Sequence, residues 1–164
     1  MKNTLSILLF SLFLFGFSDE VQRYHIDKTT SPNDTLTYLK YDMSLVNGVI
    51  FCEFGDVGLF KDGKRDGVHK GWWGNGQLEW EENYKDGKKV DGLYKSWHKN
   101  GEVEGEGNYK DGELDGLWKS WHKNGQLRYE KNYKDGKEDG LRKWWWKNGK
   151  LRYEENYKDG KLID

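Results

Sequence analysis

The sequence predicts an all-β protein, a single-layer antiparallel β-meander of hairpins that repeat about every 24 residues. Three observations carry this. A frame opening on Asp-Gly starts at Asp66, Asp91, Asp115 and Asp139, at spacings of 25, 24 and 24. Two turn dipeptides recur within each frame. Asn-Gly stands at 75–76, 100–101, 124–125 and 148–149, and Asp-Gly after a lysine at 86–87, 111–112, 135–136 and 159–160. Between them lie segments of roughly nine to eleven residues rich in Trp, Tyr and Leu, the length and composition of strands.

Along the chain, residues 1–18 read as an export signal. Lys2 supplies the positive end, Leu5 to Phe17 is apolar except for Ser6, Ser11 and Gly16, and Gly16-Phe17-Ser18 has the small-x-small form of a cleavage site. The apolar run is shorter than the ~20 residues a membrane span needs. Residues 19–46 lack the repeat and read as a linker, with a turn at Ser31-Pro32-Asn33-Asp34 and a capping strand within Leu36–Tyr41. The repeat domain covers 47–164, as a short degenerate copy at 47–65 and full copies at 66–90, 91–114, 115–138 and 139–162.

Register follows from the turns. Asn-Gly and Asp-Gly both suit two-residue type I′ turns, because Asn, Asp and Gly tolerate positive φ. About Asn124-Gly125, Trp121 then faces Arg128, Ser120 faces Tyr129 and Lys119 faces Glu130. The last pair recurs as Lys70–Glu81, Lys95–Glu106 and Lys143–Glu154. About Asp135-Gly136, Tyr133 faces Glu138, Lys131 faces Gly140 and Glu130 faces Leu141. An even period keeps each repeat position on one sheet face, so the 25-residue unit needs a bulge or longer turn near Lys88-Lys89-Val90. One face then carries Trp72, Trp97, Trp121 and Trp145 with the Lys–Glu pairs, Arg128 and Arg152. The other carries Trp118, His122, Leu127, Tyr129 and Tyr133 with their equivalents in the other units.

Composition narrows the function. Aromatic residues are 16% of the chain, enough to order a protein in which charged residues reach 34%. Removing residues 1–18 leaves 26 basic against 28 acidic residues, no field for nucleic acid. Cys52 is the sole cysteine, so no intrachain disulfide forms, and it reads as a small buried apolar residue. His98 and His122 share a repeat position with Trp73 and Trp146, which is not how a catalytic or metal-binding histidine behaves. No histidine–cysteine spacing fits zinc, and no nucleophile, phosphate-loop or dinucleotide motif is present. No enzyme, cofactor or metal site is expected.

The unit Gly116-Leu-Trp-Lys-Ser-Trp-His-Lys-Asn-Gly-Gln-Leu-Arg-Tyr-Glu-Lys-Asn-Tyr-Lys-Asp-Gly-Lys137 resembles the variant MORN repeat of bacterial proteins. The resemblance covers about 47–164 and is strong from 66. It implies a meandering single-layer sheet with a non-enzymatic role. Bacterial members are commonly labelled antitoxin components, and eukaryotic ones are linked to membrane attachment and scaffolding. The expected function is a module for protein–protein interaction or scaffolding in the cell envelope or outside the cell, including antitoxin-like neutralisation of a partner. The alternative is glycan, cell-wall or phospholipid-headgroup binding through the aromatic rows. The candidate binding face is Trp72, Trp97, Trp121, Trp145, Arg128 and Arg152.

Overall fold

Between Gly48 and Ile163 nearly every segment is strand or turn, and each long strand is paired with the long strands before and after it. The computed structural model describes residues 21–31 and 36–163, so the export signal expected at 1–18 lies outside the described residues, as does most of the turn expected at Ser31–Asp34. The main sheet runs in sequence order, from a first pairing of Arg23–His25 with Gly48–Cys52 to a last pairing of Leu151–Lys158 with Lys161–Ile163. All its pairings are antiparallel except that first one.

The Asp-Gly turns form as the sequence predicts. Asp135 has φ +46° and Gly136 φ +74°, the pair of positive angles a type I′ turn requires, and Asp62, Asp86, Asp111 and Asp159 repeat it. The Asn-Gly turns do not form as predicted. At Asn124-Gly125 only the glycine has positive φ, at +77°. Gly125 N–H donates to the His122 carbonyl and His122 N–H to the Gln126 carbonyl, each at 2.8 Å. This is a three-residue loop, a type I turn closed by a left-handed glycine. Trp121 therefore pairs with Leu127 instead of Arg128, and a bulge at Arg128 restores the predicted Ser120–Tyr129 and Lys119–Glu130 pairs.

The Asp-Gly side also differs in register. Tyr133 faces Glu138 as expected, but Lys131 pairs with Arg142 and Glu130 with Lys143, two residues beyond the predicted Gly140 and Leu141. The excess sits at Asp139-Gly140-Leu141, where Asn132 Nδ2 donates to the Leu141 carbonyl at 2.7 Å. An excess of two preserves the alternation of faces. In the 25-residue unit the corresponding step, from Tyr84–Lys89 to Glu81–Lys95, takes one residue more. That residue is absorbed at Val90-Asp91-Gly92, directly after Lys88-Lys89, and every later unit keeps its faces.

Both long edges tie unit to unit. Along the Asn-Gly edge, Nδ2 of Asn75, Asn100 and Asn124 donates to the carbonyls of Lys99, Lys123 and Lys147 at 2.7, 3.0 and 2.8 Å. The neighbouring ring nitrogens of Trp73, His98 and His122 reach the carbonyls of Trp97, Trp121 and Trp145 at 2.8, 2.9 and 3.3 Å. Trp and His interchange here because each presents an aromatic N–H to the next unit. At the Asp-Gly edge, Gly136 and Gly160 N–H donate to the carbonyls of Leu114 and Glu138.

The best-buried apolar cluster lies at the N-terminal end, where Leu39 and Val46 close over Ile50 and Phe60. The edge strand there is Arg23–His25. The segment expected to cap the array, Leu36–Tyr41, contributes only Tyr38–Leu39, paired with Thr29–Thr30 in a separate two-stranded sheet. His69 is fully buried between Phe60 and Tyr84, with Nε2 2.8 Å from the Leu59 carbonyl. Burial holds its pKa down to about 4. The degenerate copy at 47–65 keeps one edge contact of the others, Asn47 Oδ1 accepting the Asp62 N–H at 2.7 Å as Asp91 does for Asp111, but turns through the two-residue loop Glu53-Phe54. Cys52 is half-buried, short of the burial expected for it.

Candidate functional site

The two faces are built from different chemistry. On one, the registers run unbroken through Lys70, Glu81, Lys95, Glu106, Lys119, Glu130, Lys143 and Glu154. Charge alternates at every strand, and the four pairs within units stand at 3.0 to 3.8 Å. Such cross-strand pairs contribute a few tenths of a kcal/mol each, about enough to favour this register over its neighbours. Beside this row lie the half-buried Trp72, Trp97, Trp121 and Trp145. The Trp72 indole lies against Gly55, where an added Cβ would approach within 2.8 Å of the ring, and its Nε1 donates to the Asp56 carbonyl at 3.3 Å. Lys95 Nζ lies 5.7 Å from the Trp97 ring centre. On the other side of the row, Val68, Leu93, Leu117 and Leu141 are exposed.

The opposite face is aromatic. Tyr84, Tyr109, Tyr133 and Tyr157 mark one repeat position near the Asp-Gly turns. Farther from those turns, a second continuous row reads Gly71, Trp80, Ser96, Gly105, Ser120, Tyr129, Trp144 and Tyr153. Trp144 sits between Tyr129 and Tyr153, at centroid distances of 5.0 and 5.9 Å. Tyr94 stacks on Trp118 at 5.4 Å. Arg142 lies over Trp144, Tyr153 and Tyr157, and donates to the Tyr157 hydroxyl at 2.9 Å.

Arg128 and Arg152 belong to this aromatic face. The Arg128 guanidinium lies 5.7 Å from the Tyr129 ring and 5.8 Å from Trp144. Arg152 lies 4.3 Å from Trp146 and 5.7 Å from Tyr153. The six residues proposed from sequence as one binding face are thus divided between two, and the expected Trp121–Arg128 pairing is absent. The cause is the bulge: an extra residue before Tyr129 turns Arg128 to the side of its aromatic neighbour. Leu127 moves the other way, opposite Trp121. Sequence reasoning also left Trp80, Trp144 and Arg142 out of the candidate binding face. The signal was available in the unit itself, since Trp80, Tyr129 and Tyr153 share a repeat position.

The second row is interrupted. Between Trp80 and Tyr129 no side chain exceeds serine, which leaves a slot of about 300 Å3. Tyr94 and Trp118 line one side, and Trp73, Glu79, Glu104 and Arg128 complete the lining. Among the described residues no group of three or more His, Cys, Asp or Glu side chains comes together in a way that could hold a metal ion.

A family model described as a MORN repeat variant matches four stretches, residues 65–86, 90–111, 114–135 and 138–159, more than half of the chain. Searches of curated proteins and of solved structures gave no match.

Proposed function

The chain belongs to the MORN repeat variant family, whose repeats are modules for protein or membrane interaction, and from that premise we propose that it docks a protein partner on its aromatic face. The observation that carries this reading is the set of half-buried rings of Tyr129, Trp144 and Tyr153 with the exposed guanidinium groups of Arg128 and Arg152, held in a row by the ladder beneath them. Tyr, Trp and Arg dominate the binding energy of protein interfaces, because each combines buried area with a directional polar group. The rings are pre-ordered by stacking, so little side-chain entropy remains to be lost on docking. The work of this face is recognition, without catalysis.

Residues 1–18, which read in the sequence as an export signal, support docking in the cell envelope or outside the cell, and neutralisation of an exported toxin would be one form of it. The test is crosslinking capture from the cognate envelope extract by the chain bearing residues 19–164. An Arg128→Ala/Arg152→Ala/Tyr153→Ala variant and a Trp97→Ala/Trp121→Ala/Trp145→Ala variant are run beside it, each first shown to be folded. One protein captured by the native chain and lost by the arginine–tyrosine variant supports the reading. Loss only with the tryptophan variant moves the site to the charged face. Capture of wall glycan alone replaces protein docking with glycan binding.

A further inference from the structure

The slot in the aromatic row has a chemistry unlike the rest of that face. We propose that it receives a lysine or arginine side chain of the docked partner, which rests on and deepens the protein-docking reading above. The slot exists because the repeat breaks. Gly105 stands where the other full units carry Trp80, Tyr129 and Tyr153, and its cross-strand neighbours are Ser96 and Ser120. The Trp118 indole lies against this glycine, 3.4 Å from where a Cβ would stand, whereas beside Tyr129 the equivalent of Trp118 is Arg142.

Rings surround the vacancy, with Trp80 and Tyr129 at its ends and the Tyr94–Trp118 stack along one side. Aromatic faces attract cations, most strongly where water is excluded. The rim supplies the matching charge. Glu79 and Glu104 precede Trp80 and Gly105, at the position that becomes Arg128 and Arg152 in the next two units. Among the described residues Glu79 makes no ion pair, and the only one made by Glu104 is to His98 Nδ1 at 3.4 Å. His98 Nε2 faces the Trp121 carbonyl at 2.9 Å, which leaves Nδ1 for Glu104. The one cation lining the slot, Arg128, is already over Tyr129 and Trp144. Glu79 without an ion pair and Glu104 with only a histidine at 3.4 Å, beside π faces, fit a basic side chain. They disfavour an anion and leave a neutral sugar without reason for the charge. The switch from glutamate to arginine also gives the docked segment a direction, with its acidic residues toward Arg152.

The test is NMR titration of the full chain with capped Gly-Lys-Gly and Gly-Arg-Gly peptides, following the indole N–H signals of Trp80 and Trp118. Capped Gly-Glu-Gly and a soluble chitooligosaccharide serve as competing probes. Saturable shifts with the basic peptides are expected. They should weaken about tenfold or more in Glu79→Gln/Glu104→Gln, the loss of charge-assisted hydrogen bonds. Gly105→Tyr, which displaces the Trp118 indole and fills the slot, should abolish them while amide shifts of strands away from Gly105 stay in place. Equal shifts with Gly-Glu-Gly, shifts only with the sugar, or undiminished binding by the glutamine variant would overturn the proposal. If both basic peptides fail while envelope capture still depends on Arg128, Arg152 and Tyr153, the slot assignment falls and protein docking stands. If capture fails too, both fall.

Discussion

His98 and Asp135 show why particular residue types recur in each unit. His98 shares its place with Trp73 because the ring must offer an N–H to the carbonyl of the next unit, at 2.9 Å in one case and 2.8 Å in the other. His98→Trp is therefore expected to leave stability nearly unchanged. His98→Phe keeps the ring and leaves the Trp121 carbonyl unpaired, at a cost of about 1–2 kcal/mol in urea denaturation. Asp135 occupies φ +46°. Asp135→Asn should be neutral, whereas Asp135→Val should cost about 1–2 kcal/mol, because a branched Cβ crowds the following carbonyl in the left-handed region. His69 gives a pH dependence. Its pKa of about 4 lies below the ~6.5 of an unfolded histidine, so between these values the unfolded chain takes up a proton that the folded one refuses. The stability it permits is complete above pH 6.5 and declines as pH falls toward 4. Urea midpoints should drop through that window, and the His69 ring signals should not titrate until its lower end.

At the scale of the strand and turn, the sequence was legible wherever a signal was local. Lys119–Glu130 and its three equivalents were readable because opposite charges sit symmetrically about a marked turn. Arg128 was misplaced because Asn-Gly has two hairpin solutions, and the dipeptide does not say which. The three-residue loop prevails here, with Asn124 spending its Oδ1 on the Gln126 N–H and its Nδ2 on the next unit. The two-residue excess after the Asp111-Gly112 and Asp135-Gly136 turns was invisible, since the even period hides it. The odd period did announce the further residue near Val90. Deleting Val90, which returns that unit to 24 residues, should then leave the fold intact and shift stability by about 1 kcal/mol or less. Deleting Lys131 from within a ladder should instead send Arg128, Tyr129 and their neighbours to the wrong faces and abolish the cooperative transition. Circular dichroism with urea titration distinguishes the two.

Across the whole molecule, burial falls from one end to the other. Leu39, Val46, Ile50 and Phe60 form a closed cluster at the N-terminal end, while Leu151, Leu162 and Ile163 are exposed in the last strands. A linear array is a chain of nearest-neighbour interfaces, so local stability follows local burial. Amide exchange should be slowest in Gly48–Cys52 and Gly55–Lys61 and fastest in Leu151–Lys158 and Lys161–Ile163. Uniform protection would show that the array opens as one unit. The period and the overall meander were plain in the sequence at this scale. The N-terminal closure was not, because it depends on a parallel pairing of Arg23–His25 that carries no repeat signature.

Strand order in the main sheet is the order of the chain. A load applied along the array therefore pulls each strand directly away from its neighbour and stretches only the last ladder, rather than shearing many bonds at once. The protein should yield under tension like a zipper, at low force and in equal increments. Each released unit of about 24 residues adds roughly 80 Å of contour, readable as a regular sawtooth in single-molecule extension.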